Sequence, residues 1–196
     1  MFQIKQSVEH SLIIEKSEFI AMIFPVESTS DFLPILKQIK KKFPKANHYC
    51  TAYVLENTQG SSDDGEPSGT AGIPILEMLN QRLLKNVYAV VVRYFGGIKL
   101  GSGGLIRAYA QATKECIQKL ELFKQVLSTE YEVTFSYEKI NLMDQLFSNH
   151  ILDKSYLTDV TYTLSFIDDE TLLDTNSHLF KKIIKKGTKE ILVPWK

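Results

Sequence analysis

Nine of the chain's ten glycines lie between Gly60 and Gly104, and five of them fall within Gly96–Gly104. This cluster sits between an apolar β-branched run, Val87 to Val92, and an apolar line at helical spacing, Leu105, Tyr109, Ala112, Cys116 and Leu120. The pattern predicts strand, glycine loop, helix. Glycines packed this closely give up backbone entropy in return for positive φ or for close approach of another backbone or a ligand. A loop that runs into a helix start brings free N–H groups and the positive end of the dipole together, here beside Lys99 and Arg107. The stretch is therefore a candidate anion- or nucleic-acid-binding site, with Arg93, Tyr94, Phe95, Gly96, Gly97, Lys99, Gly101, Ser102, Gly103, Gly104 and Arg107 as its residues. The plainer explanation is that the glycines only let strand and helix pack tightly.

With 196 residues, of which 44% are apolar, the chain can form one large domain or two small ones. No apolar run approaches the roughly 18 residues of a membrane span, and Met1 to His10 lacks the apolar centre of a signal peptide. The expected location is cytoplasmic, with no membrane partner. Cys50 and Cys116 have neither metal-ligand spacing nor a disulfide framework and read as buried thiols in a reducing compartment. Formal net charge is zero. Any nucleic-acid surface must then be a local patch.

Before the glycines, Leu12 to Val26 reads as two strands about Glu15-Lys16-Ser17. Asp31 to Phe43 reads as a helix whose Lys37, Lys40 and Lys41 form a solvated face. His48 to Glu56 alternates as a strand, with His48, Cys50, Ala52 and Val54 on one side. Gln59 to Gly72 is polar and rich in turn formers, and reads as a mobile lid. Its carboxylates, Asp63, Asp64 and Glu66, are of the type that holds a hard cation or positions a water or hydroxyl. His48 shares that neighbourhood, either as a structural or as a working histidine. A helix is expected over Ile73 to Lys85 and a strand buried on both faces over Val87 to Tyr94.

After Lys124 the texture changes, with no glycine until Gly187 and no proline until Pro194. The expected order is strand (126–135), helix (137–149), strand (155–157), strand (160–166), helix (169–186) and strand (188–193). In that reading Lys181, Lys182, Lys185 and Lys186 occupy the last helical turns and Gly187 ends the helix. This βαββαβ order predicts a small ferredoxin-like domain over 123–196, following a first domain over 1–122.

Several chemistries lack their signatures. The four histidines are scattered, no G-x-S-x-G elbow is present, and the glycine loop fits neither the P-loop nor the dinucleotide fingerprint. Zinc-deaminase spacing is also missing. No cofactor or metal is indicated. The open alternative to a binding protein is an enzyme acting on a small phosphorylated or nucleotide-like ligand, with His48, Asp63, Asp64 and Glu66 as catalytic or metal-binding groups.

Four segments together resemble the IMPACT family, in the form of its bacterial two-domain members: Lys16-Ser17-x-Phe19-Ile20-Ala21; His48-x-Cys50-x-Ala52-Tyr53; Ser62 to Gly72; and Arg93-Tyr94-Phe95-Gly96-Gly97 through Arg107-Ala108-Tyr109. Glu18 departs from the pattern at a position that is more often basic. The resemblance implies an α+β protein, with an N-terminal domain like ribosomal protein S5 domain 2 and a C-terminal domain like the last domain of elongation factor G. It also implies a role linked to translation. Eukaryotic relatives restrain an amino-acid-starvation kinase, and nucleic-acid binding has been proposed for bacterial ones. The partners expected on this basis are RNA, the ribosome or a protein of translation control. Neither composition nor spacing bears on the oligomeric state.

Overall fold

The first hairpin turns on Glu15 and Lys16, whose φ values of 46° and 64° give the reversed turn that matches the right-handed twist of its strands. In the computed structural model, which describes residues 1–195, this hairpin joins β2 (Val8–Ile14) to β3 (Ser17–Pro25), after a two-residue β1 (Phe2–Gln3). There follow α1 (Phe32–Lys42), β4 (His48–Val54), β5 (Gln59–Ser62), α2 (Gly72–Gln81), β6 (Val87–Tyr94) and α3 (Gly101–Ile117). Next come β7 (Phe123–Phe135), α4 (Ile140–Phe147), β8 (Ile151–Tyr156), β9 (Val160–Ile167), α5 (Thr171–Thr175) and β10 (Lys182–Pro194). The chain is thus a mixed α+β protein. It divides into two compact units, Met1–Lys124 with Pro194 and Trp195, and Gln125–Val193.

The first unit is built on an antiparallel sheet in the order β2-β3-β6-β4-β5. β6 is central, and its residues from Val87 to Arg93 are all buried. Alternation along the strands sorts the two faces. Phe19, Ala21, Ile23, Cys50, Ala52, Ala89 and Val91 pack beneath α2 and α3, against Ile75, Leu79, Leu105, Tyr109 and Ala112. Ile20, Met22, Tyr88, Val90 and Val92 form the opposite core with Ile39 and the apolar face of α1. β1 pairs with the first residues of β7, Phe2 opposite Lys124 and Gln3 opposite Phe123.

Two expectations about this unit change. The helix after the glycines begins at Gly101, so Gly101, Ser102, Gly103 and Gly104 form its first turn and the true loop is shorter. The segment expected to be a mobile lid opens instead as strand β5, in register with β4 from Thr51↔Ser62 to Val54↔Gln59.

In the second unit β7 lies between β9 and β10, and β8 pairs with the far side of β9. Tyr131, Val133 and Phe135 of β7 meet Val160, Tyr162, Leu164 and Phe166 of β9 and Met143 and Phe147 of α4 in a second core. The expected long helix over 169–186 is not formed. A five-residue α5 and a 3-10 turn, Ser177–Leu179, lead into a strand that already begins at Lys182. Lys182, Lys185, Lys186 and Gly187 are therefore strand residues. Pairing of β10 with β7 wins over the helical periodicity of the local sequence, and the β-branched Ile183 and Ile184 suit the strand.

Candidate functional site

Adjacent strands bring together residues far apart in the chain. Arg93, near the end of β6, stands opposite Phe19 of β3 and His48 of β4. All three side chains belong to the α2/α3 side of the sheet, because residues in register share a face. Arg93 is 5% exposed. A buried guanidinium must be paired, and Glu66 provides the carboxylate: Arg93 Nη1 donates to Glu66 Oε1 at 2.6 Å. The same oxygen accepts from the Tyr109 hydroxyl at 2.7 Å, and His48 Nε2 lies 3.9 Å from the other carboxylate oxygen. The Arg93 guanidinium also lies over the Phe19 ring, 5.4 Å from its centroid, and over that of Phe95 at 5.5 Å.

The neighbouring loop is bound down by its own acids. Asp63 accepts hydrogen bonds from the backbone N–H groups of Gly69 (2.8 Å), Ala71 (3.0 Å) and Gly72 (2.8 Å), satisfying donors that the start of α2 leaves free. Burial would raise the Asp63 pKa, but the N–H groups of Gly69, Gly72 and Ala71 favour the charged form and hold it below its ordinary value. Asp64 accepts from Tyr49 N–H at 2.7 Å, and its carbonyl accepts from His48 Nδ1 at 2.9 Å. A carbonyl only accepts, so Nδ1 carries the proton. Cys50 Sγ lies 3.0 Å from the Asp63 carbonyl and 3.3 Å from the Tyr109 hydroxyl, which share its single S–H. Burial pushes its thiol up to about 12, far from a reactive thiolate. Burial, together with Cys50 and Glu66, likewise raises the Tyr109 phenol.

The glycines divide into two roles. Gly96 is a close-approach position: a Cβ there would lie 2.0 Å from the Lys16 carbonyl, on the backbone of the β2–β3 hairpin. Its N–H donates to Ser17 Oγ at 3.1 Å, and Phe95 N–H donates to Asn47 Oδ1 at 2.8 Å. Gly97 and Gly101, with φ of 87° and 68°, have nothing near an added Cβ and serve the turn of the backbone into α3.

The sequence-derived candidates thus separate. Arg93, Glu66, Asp63, Asp64 and His48 meet in one network of mutual bonds. Tyr94 leaves that network for the other face of the sheet, packing on the α1 core. Lys99, Gly101, Ser102, Gly103 and Arg107 lie exposed at the tip with Phe95, while Gly104 is half-buried. Neither Lys99 nor Arg107 has an ion-pair or hydrogen-bond partner among the described residues. The Arg107 guanidinium turns back along the first turn of α3, since a Cβ at Gly103 would meet its Nη1 at 3.6 Å. Among the described residues no group of three His, Cys, Asp or Glu is placed to hold a metal ion. Reading by residue type passed over Ser17, Asn47 and Tyr109. Tyr109 sat on the apolar line of its helix, and only its place in the family motif set it apart.

The model of the Impact N-terminal domain matches residues 15–117, a span that contains every member of this network. The chain belongs to the IMPACT family. Its IMPACT relatives include the family member YvyE of Bacillus subtilis, 36% identical over 176 residues that cover 88% of this chain and 79% of that protein. A family member from Haemophilus influenzae is 35% identical, covering 91% of this chain and 90% of its own. YigZ of Escherichia coli is 36% identical over 68% of each. A solved structure described as that of a hypothetical protein superposes with a TM-score of 0.61 at 28% identity, over 95% of this IMPACT chain and 98% of the other.

Proposed function

We propose that this IMPACT-family protein is a cytoplasmic, translation-associated binding protein that meets RNA, the ribosome or another phosphate-bearing partner through the exposed tip formed by Phe95, Lys99, the first turn of α3 and Arg107. One contrast carries the reading. The groups an enzyme would use are consumed in internal bonds, whereas the cations of the tip have no ion-pair or hydrogen-bond partner among the described residues. Glu66 neutralises Arg93, Asp63 holds the start of α2, Asp64 holds β4, and the Cys50 thiol is kept protonated. Lys99 and Arg107 beside free helical N–H groups suit phosphate oxygens, and the solvent side of Phe95 suits a base. The link to translation rests on family membership.

On the same family pattern we read residues 1–122 as S5-domain-2-like and residues 123–196 as a ferredoxin-like domain similar to the last domain of elongation factor G. The strand order β10-β7-β9-β8 within the second unit supports the latter. The test is co-sedimentation of the purified protein with ribosomes and with RNA at low salt. Binding above that of a neutral control protein, weakened by Lys99→Ala and by Arg107→Ala at unchanged melting temperature, is the expected result. Binding no greater than the control overturns the proposal. So does a metabolite that raises the melting temperature through His48 and Asp64, which points to the enzyme.

A further inference from the structure

The opposite ends of the same two helices carry a second surface. Where α2 and α3 terminate, an open groove of about 550 Å³ runs between them, wholly within the first unit. Its floor is apolar, made by Met78 of α2, Ile117 of α3 and Leu120 just beyond. Its rim carries Arg82, Lys114 and Gln118, and among the described residues no carboxylate lines it. Glu115, the nearest acid in sequence to Lys114, is turned to His10 at 2.7 Å and to Gln111 at 3.0 Å. Lys114 has no ion-pair partner among the described residues, and neither has Arg82, whose guanidinium lies over the Phe2 ring, 5.8 Å from its centroid.

Basic residues at helix C-termini offset the negative dipole ends, which accounts for one cation at each helix. It does not account for an apolar floor between them. A groove between two helices, floored by a pliable methionine and edged by unpaired cations, has the form that takes an amphipathic segment of another protein. We infer that this groove is a docking site for an acidic amphipathic peptide segment of a protein partner, whose apolar side chains cover Met78, Ile117 and Leu120 while its carboxylates meet Arg82 and Lys114. Charge complementarity selects the occupant. A basic segment, or one without carboxylates, leaves both cations desolvated at the rim without a partner. The inference is independent of the proposed phosphate-binding tip, which uses the start of α3.

The test is to pan a displayed random-peptide library against the full chain, then measure binding of the enriched peptides by fluorescence anisotropy. Enriched sequences are expected to combine apolar residues at helical spacing with Asp or Glu. Their affinity should fall about tenfold in the double variant Arg82→Gln/Lys114→Gln, survive in Arg82→Lys and Lys114→Arg, and be untouched by Lys99→Ala/Arg107→Ala. Both rim residues are exposed, and an unchanged melting temperature shows that the variants fold. The inference is overturned if no peptide is enriched, if the enriched peptides lack carboxylates, or if they bind the neutralised variant equally well. It is also overturned if neutralising the rim alters self-association or RNA binding in place of peptide binding.

Discussion

Glu66 is the residue on which the first unit's polar interior depends. Its carboxylate is nearly inaccessible and compensates a guanidinium that is equally so. Removing one member of such a pair leaves the other charged in a desolvated place. Glu66→Ala should therefore cost about 3–5 kcal/mol in chemical denaturation, and Arg93→Met should partly restore the loss, because the double variant carries no unpaired buried charge. Tyr109→Phe removes the hydroxyl bonded to both Glu66 and Cys50, at an expected cost of about 1–2 kcal/mol. Full destabilisation by Glu66→Ala with no rescue would show that the two side chains act separately. Asp63 adds a pH dependence of known sign. Its folded-state pKa lies below the ordinary 3.8, so its contribution is complete above the ordinary carboxylate range and is lost as pH falls through the depressed value. Thermal melts taken from neutral to acid pH should show this loss in the native protein and not in Asp63→Asn. These partnerships were not legible in residue types. Three acids within four positions look like a metal or catalytic loop, and only the folded course of that loop, which carries Glu66 to Arg93 of β6, reveals that one of them is paired with an arginine.

At the scale of elements, the glycine stretch does two physical jobs: Gly96 lets the backbone approach the β2–β3 hairpin, and Gly97 and Gly101 turn it into α3. Gly96→Ala forces a methyl group into the backbone of the β2–β3 hairpin, where no side-chain rotation relieves the overlap. A loss of about 1–3 kcal/mol is expected. At Gly103 an added Cβ makes only ordinary contact with Arg107, so Gly103→Ala should leave stability within about 1 kcal/mol while narrowing access to the helix start. A pair of melting curves separates the two positions. The sheet and its helices were legible because period-two and period-3.6 patterns coincide with real faces, as in the continuous apolar run of β6. Helix α3 begins at Gly101, four residues before its apolar line, because free N–H groups at a helix start need no apolar side chain. The segment that becomes β10 misled for the opposite reason. Its lysines and isoleucines are compatible with a helix locally, and a strand thirteen residues long forms because β7 offers a partner far away in sequence.

For the molecule as a whole, zero net charge means that recognition of a polyanion has to come from a patch rather than from the general field. The proposed division of labour follows from this. An internally bonded cluster of Glu66, Arg93, Tyr109 and Asp63 holds the loop and the hairpin, and the tip leaves Lys99 and Arg107 exposed. Such a patch releases few counterions, so binding should depend on salt with a shallow but measurable slope. The most direct measurement is the dependence of RNA or ribosome affinity on salt concentration, taken for the native protein and for Lys99→Ala/Arg107→Ala. With two phosphate contacts removed, the slope of log affinity against log salt should become shallower by about 1.4 to 1.8, with folding unchanged. Identical slopes and affinities for the two proteins would contradict the assignment of the tip as the phosphate-binding surface.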